Sequence, residues 1–238
     1  MNLTCTITGV DGSTDLARLS ELGQEYSFAE FGILLSRSRA GNDPRYPSLI
    51  EIHSMVDELR KRNPSVRLAL HICGSAVDDF MRGAGWITSL ADCFYRIQLN
   101  FSWPETPFSL DELESAIARF HGKVITQHNP ANAEITTQIL AANHQVLFDA
   151  SGGEGIRADE WPDPIPGKFC GYAGGIGPRT IRKDLERAAT ATRGKSVWID
   201  MEGQMRCNNL LDLTSCESVL FYVSRNWIPH ALRFRMGS

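Results

Sequence analysis

Near the end of the chain two short apolar runs each finish in glycine, Tyr172-Ala173-Gly174-Gly175-Ile176-Gly177-Pro178 and Val197-Trp198-Ile199-Asp200-Met201-Glu202-Gly203. A helical pattern follows the first. Glycine has no Cβ, so its backbone N–H can approach an anion closely, and a following helix N-terminus adds roughly half a positive charge. Paired exits of this kind hold phosphate after strands seven and eight of an eight-stranded β/α barrel. Gly174, Gly175 and Gly203 are therefore the candidate phosphate-binding residues. If these runs are strands seven and eight, six more must precede them.

Six do. β-branched or apolar runs alternate with segments of helical period, the signature of βα units around a parallel sheet. The pattern predicts strands over Leu3–Thr8, Phe28–Leu35, Val66–Ile72, Tyr95–Phe101, Lys123–His128, Val146–Ala150, Phe169–Ala173 and Ser196–Met201. Helices are expected over Thr14–Leu22, Ser48–Arg62, Ser75–Arg82, Ser109–Phe120, Ala131–Asn143, Pro178–Thr192 and Leu210–Arg225. Ser109 with Glu112 forms a capping-box pattern, Pro178 suits a first helical turn, and Asn63-Pro64 marks a stop. Ser36–Pro47 and Ser151–Lys168 are long connections at strand C-termini, where loops usually meet ligands. The expected fold is a single (β/α)8 TIM barrel over residues 1–238. A doubly wound open sheet would carry a glycine fingerprint after its first strand, and Gly9-Val10-Asp11-Gly12 lacks the third glycine.

Composition narrows the partners. The 238 residues suit one barrel, and 42% apolar content suffices for a buried core. No window approaches the roughly 20 apolar residues of a membrane span, and Met1–Gly9 runs into a strand pattern without the features of a signal peptide. Cys5, Cys73, Cys93, Cys170, Cys207 and Cys216 are scattered without a C-x-x-C pair. Neither a disulfide framework nor a thiolate zinc site is indicated, and a reducing cytoplasm is the expectation. A net charge of −4 without a basic run argues against nucleic acid and anionic membranes.

Barrel interiors are mostly filled by branched apolar side chains. Here the strand ends carry Thr8, Glu30, His71, Cys73, Gln98, Asn100, Gln127, His128, Asp149, Asp200 and Glu202. Each such group costs about 1–3 kcal/mol if buried unpartnered, so the set implies a ligand, a hydrogen-bond network, or both. Any one alone reads equally as a satisfied structural group.

Taken with these residues, the chain resembles phosphoribosylanthranilate isomerase, the barrel that converts an N-linked aminoaldose to its aminoketose by an Amadori rearrangement. Phe31-Gly32-Ile33-Leu34-Leu35 and Asp43-Pro44-Arg45-Tyr46-Pro47-Ser48 resemble that family's second strand and S-P-R-Y-V-S segment. The resemblance implies that Arg45 grips a substrate carboxylate. Ile97-Gln98-Leu99-Asn100 is similar to V-Q-L-H, with asparagine for histidine. Val146-Leu147-Phe148-Asp149, Gly152-Gly153-Glu154-Gly155 and Glu160-Trp161 parallel a strand-six aspartate, a G-G-T-G turn and a D-W pair. Ala173-Gly174-Gly175-Ile176-Gly177-Pro178 is close to A-G-G-L-N-P, and Asp200-Met201-Glu202-Gly203 resembles D-V-S-S-G. The resemblance implies a general-acid role for Asp149 and no cofactor; with Arg45, the polar strand-end groups Gln98, Asn100, His128, Asp200 and Glu202 are the candidate substrate-binding residues. The implied partner is a phosphorylated sugar.

Strand one departs from that family. The family has K-I-C-G there, its cysteine serving as general base, and this chain has Thr6-Ile7-Thr8-Gly9. A threonine hydroxyl is too weakly acidic to replace a thiolate, and Cys5, on the opposite parity, points out of the barrel. Two substitutes offer themselves. Ile72-Cys73-Gly74 repeats the cysteine motif, with His71 on the same face to favour thiolate. Glu30 is a carboxylate whose burial would raise its pKa, unless it pairs with Arg67 or Arg96. Arg37 and Arg39 stand near Arg45 in sequence to assist with an anion, and Trp161 is placed to close over a ring. The leading expectation is a phosphosugar-binding, isomerase-like barrel with an altered base. The alternatives are a non-catalytic ligand-binding relic and a metal-dependent sugar isomerase, the latter without H-x-H or H-E-x-x-H spacing to support it.

Overall fold

The computed structural model describes residues 3–157 and 160–236, with side chains through Trp227. Eight parallel strands close into a barrel in sequence order: β1 (Leu3–Thr8), β2 (Ala29–Ser36), β3 (Leu68–Cys73), β4 (Arg96–Asn100), β5 (Lys123–His128), β6 (His144–Phe148), β7 (Phe169–Tyr172) and β8 (Val197–Met201). Pairing of β1 with β8, Thr6 opposite Asp200, completes the closure. The fold is the expected (β/α)8 TIM barrel. None of the helices among the described residues is long and apolar enough to cross a membrane.

Among the described residues, eight helices surround the strands: α1 (Leu16–Glu25), α2 (Leu49–Arg62), α3 (Ser75–Met81), α4 (Gly85–Ala91), α5 (Leu110–Arg119), α6 (Ala133–Gln138), α7 (Ile181–Ala191) and α8 (Leu213–Met236). Ser48 with Glu51 and Ser109 with Glu112 form complete capping boxes, which start α2 and α5. Ile52, Met55, Val56 and Leu59 then recur at helical spacing on the buried face of α2. Such faces pack against the outward residues of the strands, Ile7, Phe31, Ile33, Ile97 and Val146 among them, to form the main core. A much smaller core of Ile125, Leu147, Ala173 and Trp198 fills part of the barrel interior. Gly171 makes room for it, because a Cβ there would run into the Trp198 indole.

The helices depart from the sequence pattern in four places. Strand β3 is followed by two helices, and periodicity does not predict α4. Helix α6 ends at Gln138 instead of Asn143. The Asn143 side-chain amide instead donates to the carbonyls of Ile117, Phe120 and Gly122, tying the chain just before β6 to the end of α5 and the turn after it. Helix α7 begins at Ile181, not Pro178. Before α8 a hairpin intervenes, β9 (Arg206–Cys207) with β10 (Leu210–Leu211), turned by Asn208 and Asn209 at φ 50° and 61°. Between β6 and β7 no helix occurs among the described residues. The outer wall there is an aromatic stack, with Trp161 on Tyr172 (centroids 4.9 Å apart) and Tyr172 on Phe148 (5.5 Å).

Candidate functional site

Alternation sends Thr6, Glu30, Arg96 and Trp198 into the barrel at its lower level, and there they bond to one another, although Glu30 Oε2, Arg96 Nε and Arg96 Nη2 are left without a hydrogen bond. Glu30 Oε1 accepts from Thr6 Oγ1 and from Arg96 Nη1, both at 2.8 Å. Trp198 Nε1 donates to Thr6 Oγ1, and the Arg96 guanidinium lies 3.9 Å from the indole centroid. Arg67 adds a longer contact to Glu30 Oε2 at 3.9 Å. Glu30 is thus the ion-paired floor of the barrel and does not line the cavity above, which removes the geometric basis for its use as a base.

At the C-terminal ends of the strands a cavity of about 530 Å³ opens. It is lined by His71, Cys73, Gln98, Asn100, Gln127, Asp149, Asp200 and Glu202, by Arg39 and Arg45 from the loop after β2, and by the glycine exits of β7 and β8. A second recess of about 760 Å³, walled by Phe101, Pro107, Phe108 and Pro130, shares Asn100, Gln127, Gly152 and Glu154 with it. Asp149 follows β6 and is held on both oxygens. Gln127 Nε2 donates to Oδ2 at 3.1 Å, and the Ser151 hydroxyl to Oδ1 at 2.9 Å. Gln98 Nε2 donates to Asn100 Oδ1 at 2.8 Å, and Asn100 Nδ2 reaches Cys73 Sγ at 3.2 Å.

His71 does not act on Cys73 as a cation. Burial, with the nearby Arg96 charge second, pushes its pKa down to about 3, so the imidazole is neutral. Burial also pushes the Cys73 thiol up. The expectation of a thiolate promoted by His71 therefore loses its electrostatic cause. Thr8 sits behind the cavity wall, donating to Asp200 Oδ1 at 2.9 Å with His71 Nε2 at 3.4 Å from the same hydroxyl. Burial pushes the Asp200 carboxyl up to about 7, against the opposing pull of the Thr8 hydrogen bond and Arg96.

At the glycine exits, the amides of Gly174, Gly175, Ile176, Gly203 and Gln204 have no protein acceptor among the described residues, and all five residues line the cavity. Gly174 takes φ 107°, and a Cβ there would lie 2.7 Å from the Ile156 carbonyl oxygen, so only glycine fits beneath the loop after β6. The start of α7 is already served. The Gly177 amide donates to Thr180 Oγ1 at 3.0 Å, and Asp184 in the first turn is ion-paired with Arg157. The open donors are thus amides of the β7 exit loop and of the 3-10 turn Gly203–Met205 after β8, not the N-terminus of α7 expected from the sequence.

Other placements differ more. Arg45 is ion-paired with Glu202, tying the loop after β2 to the exit of β8. The charge left facing the cavity is Arg39, whose partners are neutral: the Tyr46 hydroxyl at 3.0 Å and its ring. Arg37 pairs with Asp79. His128 does not line the cavity, because it follows inward-facing Gln127 and so points outward, where Nδ1 meets Thr136 Oγ1 at 2.6 Å. Trp161 stacks outside the barrel and does not face the cavity. Sequence patterning puts little weight on Gln127, Arg39 and Gln204, all of which line the site. Strand parity is the signal that points to Gln127, and none exists for Gln204. Among the described residues no three His, Cys, Asp or Glu side chains group so as to hold a metal ion.

No protein-family model and no curated protein sequence matches the chain. Solved structures match it in fold. N-(5'-phosphoribosyl)anthranilate isomerase from Pyrococcus furiosus superposes with a TM-score of 0.56 at 12% identity, covering 94% of this chain and 100% of that one. Phospho-2-dehydro-3-deoxyheptonate aldolase from Thermotoga maritima gives 0.61 at 11%, over 97% of this chain and 70% of that one. Tryptophan synthase subunit alpha from Legionella pneumophila gives 0.52 at 15%, over 84% and 80%. At such identities the likeness is one of architecture: the chain is a TIM barrel, similar in fold to the barrels of these enzymes.

Proposed function

We propose that the protein binds a phosphorylated sugar at the mouth of its barrel and moves protons on it from Asp149, as an aldose–ketose isomerase resembling phosphoribosylanthranilate isomerase. The observation that carries this reading is the set of five acceptor-free amides at Gly174, Gly175, Ile176, Gly203 and Gln204, converging on one cavity from the exits of two adjacent strands. Unpaired N–H groups at a glycine turn favour an anion with several oxygens, and phosphate is the commonest biological one. Asp149, in the same cavity and held by Gln127 and Ser151, is the proton donor for ring opening. Arg39, free of any carboxylate within 4 Å among the described residues, meets a second anionic group on the substrate. Arg45 serves by fixing Glu202.

Calorimetry tests the reading. Wild-type protein should bind inorganic phosphate and aldose 5-phosphates, with unphosphorylated sugars weaker by about ten-fold or more, as expected for lost charge-assisted hydrogen bonds. Gly203→Asp sets a carboxylate among the amides where a Cβ meets nothing within 4 Å. It should fold normally and lose phosphate binding. Equal affinity for phosphorylated and plain sugars, or a Gly203→Asp variant that binds phosphate as before, would sink the assignment.

A further inference from the structure

We propose that Asp200 is the general base of this barrel, exchanging the substrate proton between C2 and C1, with Thr8 as its positioning residue. This rests on the phosphosugar reading above and names a group that reading leaves open. Three observations on geometry carry it. Asp200 lies near the end of β8, so its side chain enters the same cavity as Asp149 and the free amides, just before the phosphate exit at Gly203. Its Oδ1 is fixed by the Thr8 hydroxyl at 2.9 Å, while Oδ2 takes no hydrogen bond among the described residues and remains for a substrate proton. Of the other carboxylates, Glu30 is committed to Arg96 in the floor and Glu202 to Arg45, Asp149 is the proton donor of the reading above, and Glu154, which also lines the cavity, is exposed on the loop after β6 with no hydrogen bond to fix it among the described residues.

The step balances. In the open-chain form of an aldose phosphate, the Asp200 carboxylate takes the C2 proton. The C–H electron pair becomes the C1=C2 bond of an enediol, and the C1 oxygen takes a proton from Asp149. In the second half Asp200 returns its proton to C1, the C2 hydroxyl proton goes back to Asp149, and a C2 ketone remains. A base that must both accept and return a proton works best with a pKa near the ambient pH. Burial raises Asp200 to about 7. The groups acting on it are Thr8 from β1, Glu30 from β2, Arg96 from β4 and Asp149 after β6. The neutral His71 on β3 reaches it only through Thr8.

The test is deuterium exchange at C2 in heavy water, followed by NMR on ribose 5-phosphate, arabinose 5-phosphate and N-(5'-phosphoribosyl)anthranilate, with phosphate affinity measured in parallel. Wild type should exchange at least one of them. Asp200→Asn should lower that exchange by about 10²–10⁴-fold with phosphate affinity unchanged. Thr8→Val removes the hydrogen bond that favours the carboxylate. It should shift the pH midpoint of exchange upward from about 7, and Thr8→Ser should restore it. Exchange unaltered by Asp200→Asn, or phosphate binding without exchange of any probe in wild type, would overturn the assignment while leaving the phosphate site standing. A wild type that does not bind phosphate would bring down both.

Discussion

The floor and the mouth of the barrel are built from the same strands two residues apart, yet they use charge in opposite ways. In the floor, Glu30 meets Arg96, Thr6 and, at longer range, Arg67, all behind the Trp198 indole. At the mouth, Asp149, Asp200 and Arg39 face a cavity, with only neutral protein partners in hydrogen-bonding contact. The floor closes its charges against each other and holds the strands in register. The mouth leaves valence open to a ligand. Polarity inside a barrel is therefore no guide to catalysis until the partners of each group are known.

Mutations should separate the two levels. The largest effect is expected in the floor. Arg96→Met strands Glu30 in the interior and should cost about 3–5 kcal/mol in denaturant unfolding, whereas the double variant with Glu30→Gln should recover much of it. Equal losses for the single and double variants would mean that packing, not charge, sets the cost.

Next comes a pH effect at the mouth. Asp200 has its carboxyl raised from 3.8 to about 7 in the folded protein. Between about pH 4 and 7 the folded state thus holds a proton that the unfolded state has released, and stability from this group is lost as pH rises through that window. Buried His71, lowered to about 3, acts oppositely, costing stability as pH falls below 6.5. The comparison of wild type with Asp200→Asn isolates the first effect. As pH rises from 4 to 7 the variant should gain stability relative to wild type by up to a few kcal/mol, since each ten-fold difference in proton affinity between folded and unfolded states is worth about 1.4 kcal/mol. A difference independent of pH would remove Asp200 from the list of buried carboxyls.

Smaller effects test the rim. Arg39→Ala should weaken a ligand carrying a second anionic group by about ten-fold relative to inorganic phosphate, and Arg45→Ala should cost about 1 kcal/mol of stability through the half-exposed Glu202 pair. If Arg45→Ala instead selectively weakens the doubly anionic ligand, the substrate displaces Glu202. Cys73→Ser should change exchange least, within about three-fold, because burial outweighs the Asn100 hydrogen bond and the Arg39 and Arg45 charges and keeps that thiol protonated.

The eight strands and their parity are legible in the sequence because apolar alternation is local. The Glu30 pair with Arg96 is foreseeable as one of two options, since both residues fall at inward positions. What escapes is set by closure of the barrel. Arg45 and Glu202 are 157 residues apart, and only the approach of the β2 loop to β8 makes them partners. His128 fails by a single residue, since the outward turn at the end of β5 replaces an inward side chain with one aimed at α6. Asn143, read from the pattern as helical, is instead drawn to three carbonyls at the end of α5 and the turn after it, a tertiary contact that helical periodicity does not register.

The segment between β6 and β7, without a helix among the described residues, has a dynamic consequence. Asp149 is anchored by its own amide to His128 of the neighbouring strand, while the cover over the glycine exits, Gly152–Ile156, belongs to a loop held by side-chain contacts: Trp161 stacked on Tyr172, the Tyr172 hydroxyl on the Pro162 carbonyl and the Arg157 pair with Asp184. Lifting that loop breaks no ladder hydrogen bond of the barrel. Local opening there therefore demands far less free energy than global unfolding, and its amides will exchange with solvent long before those of β6. Opening of that loop would give a ligand access to the glycine exits without moving Asp149, the proton donor of the proposed function.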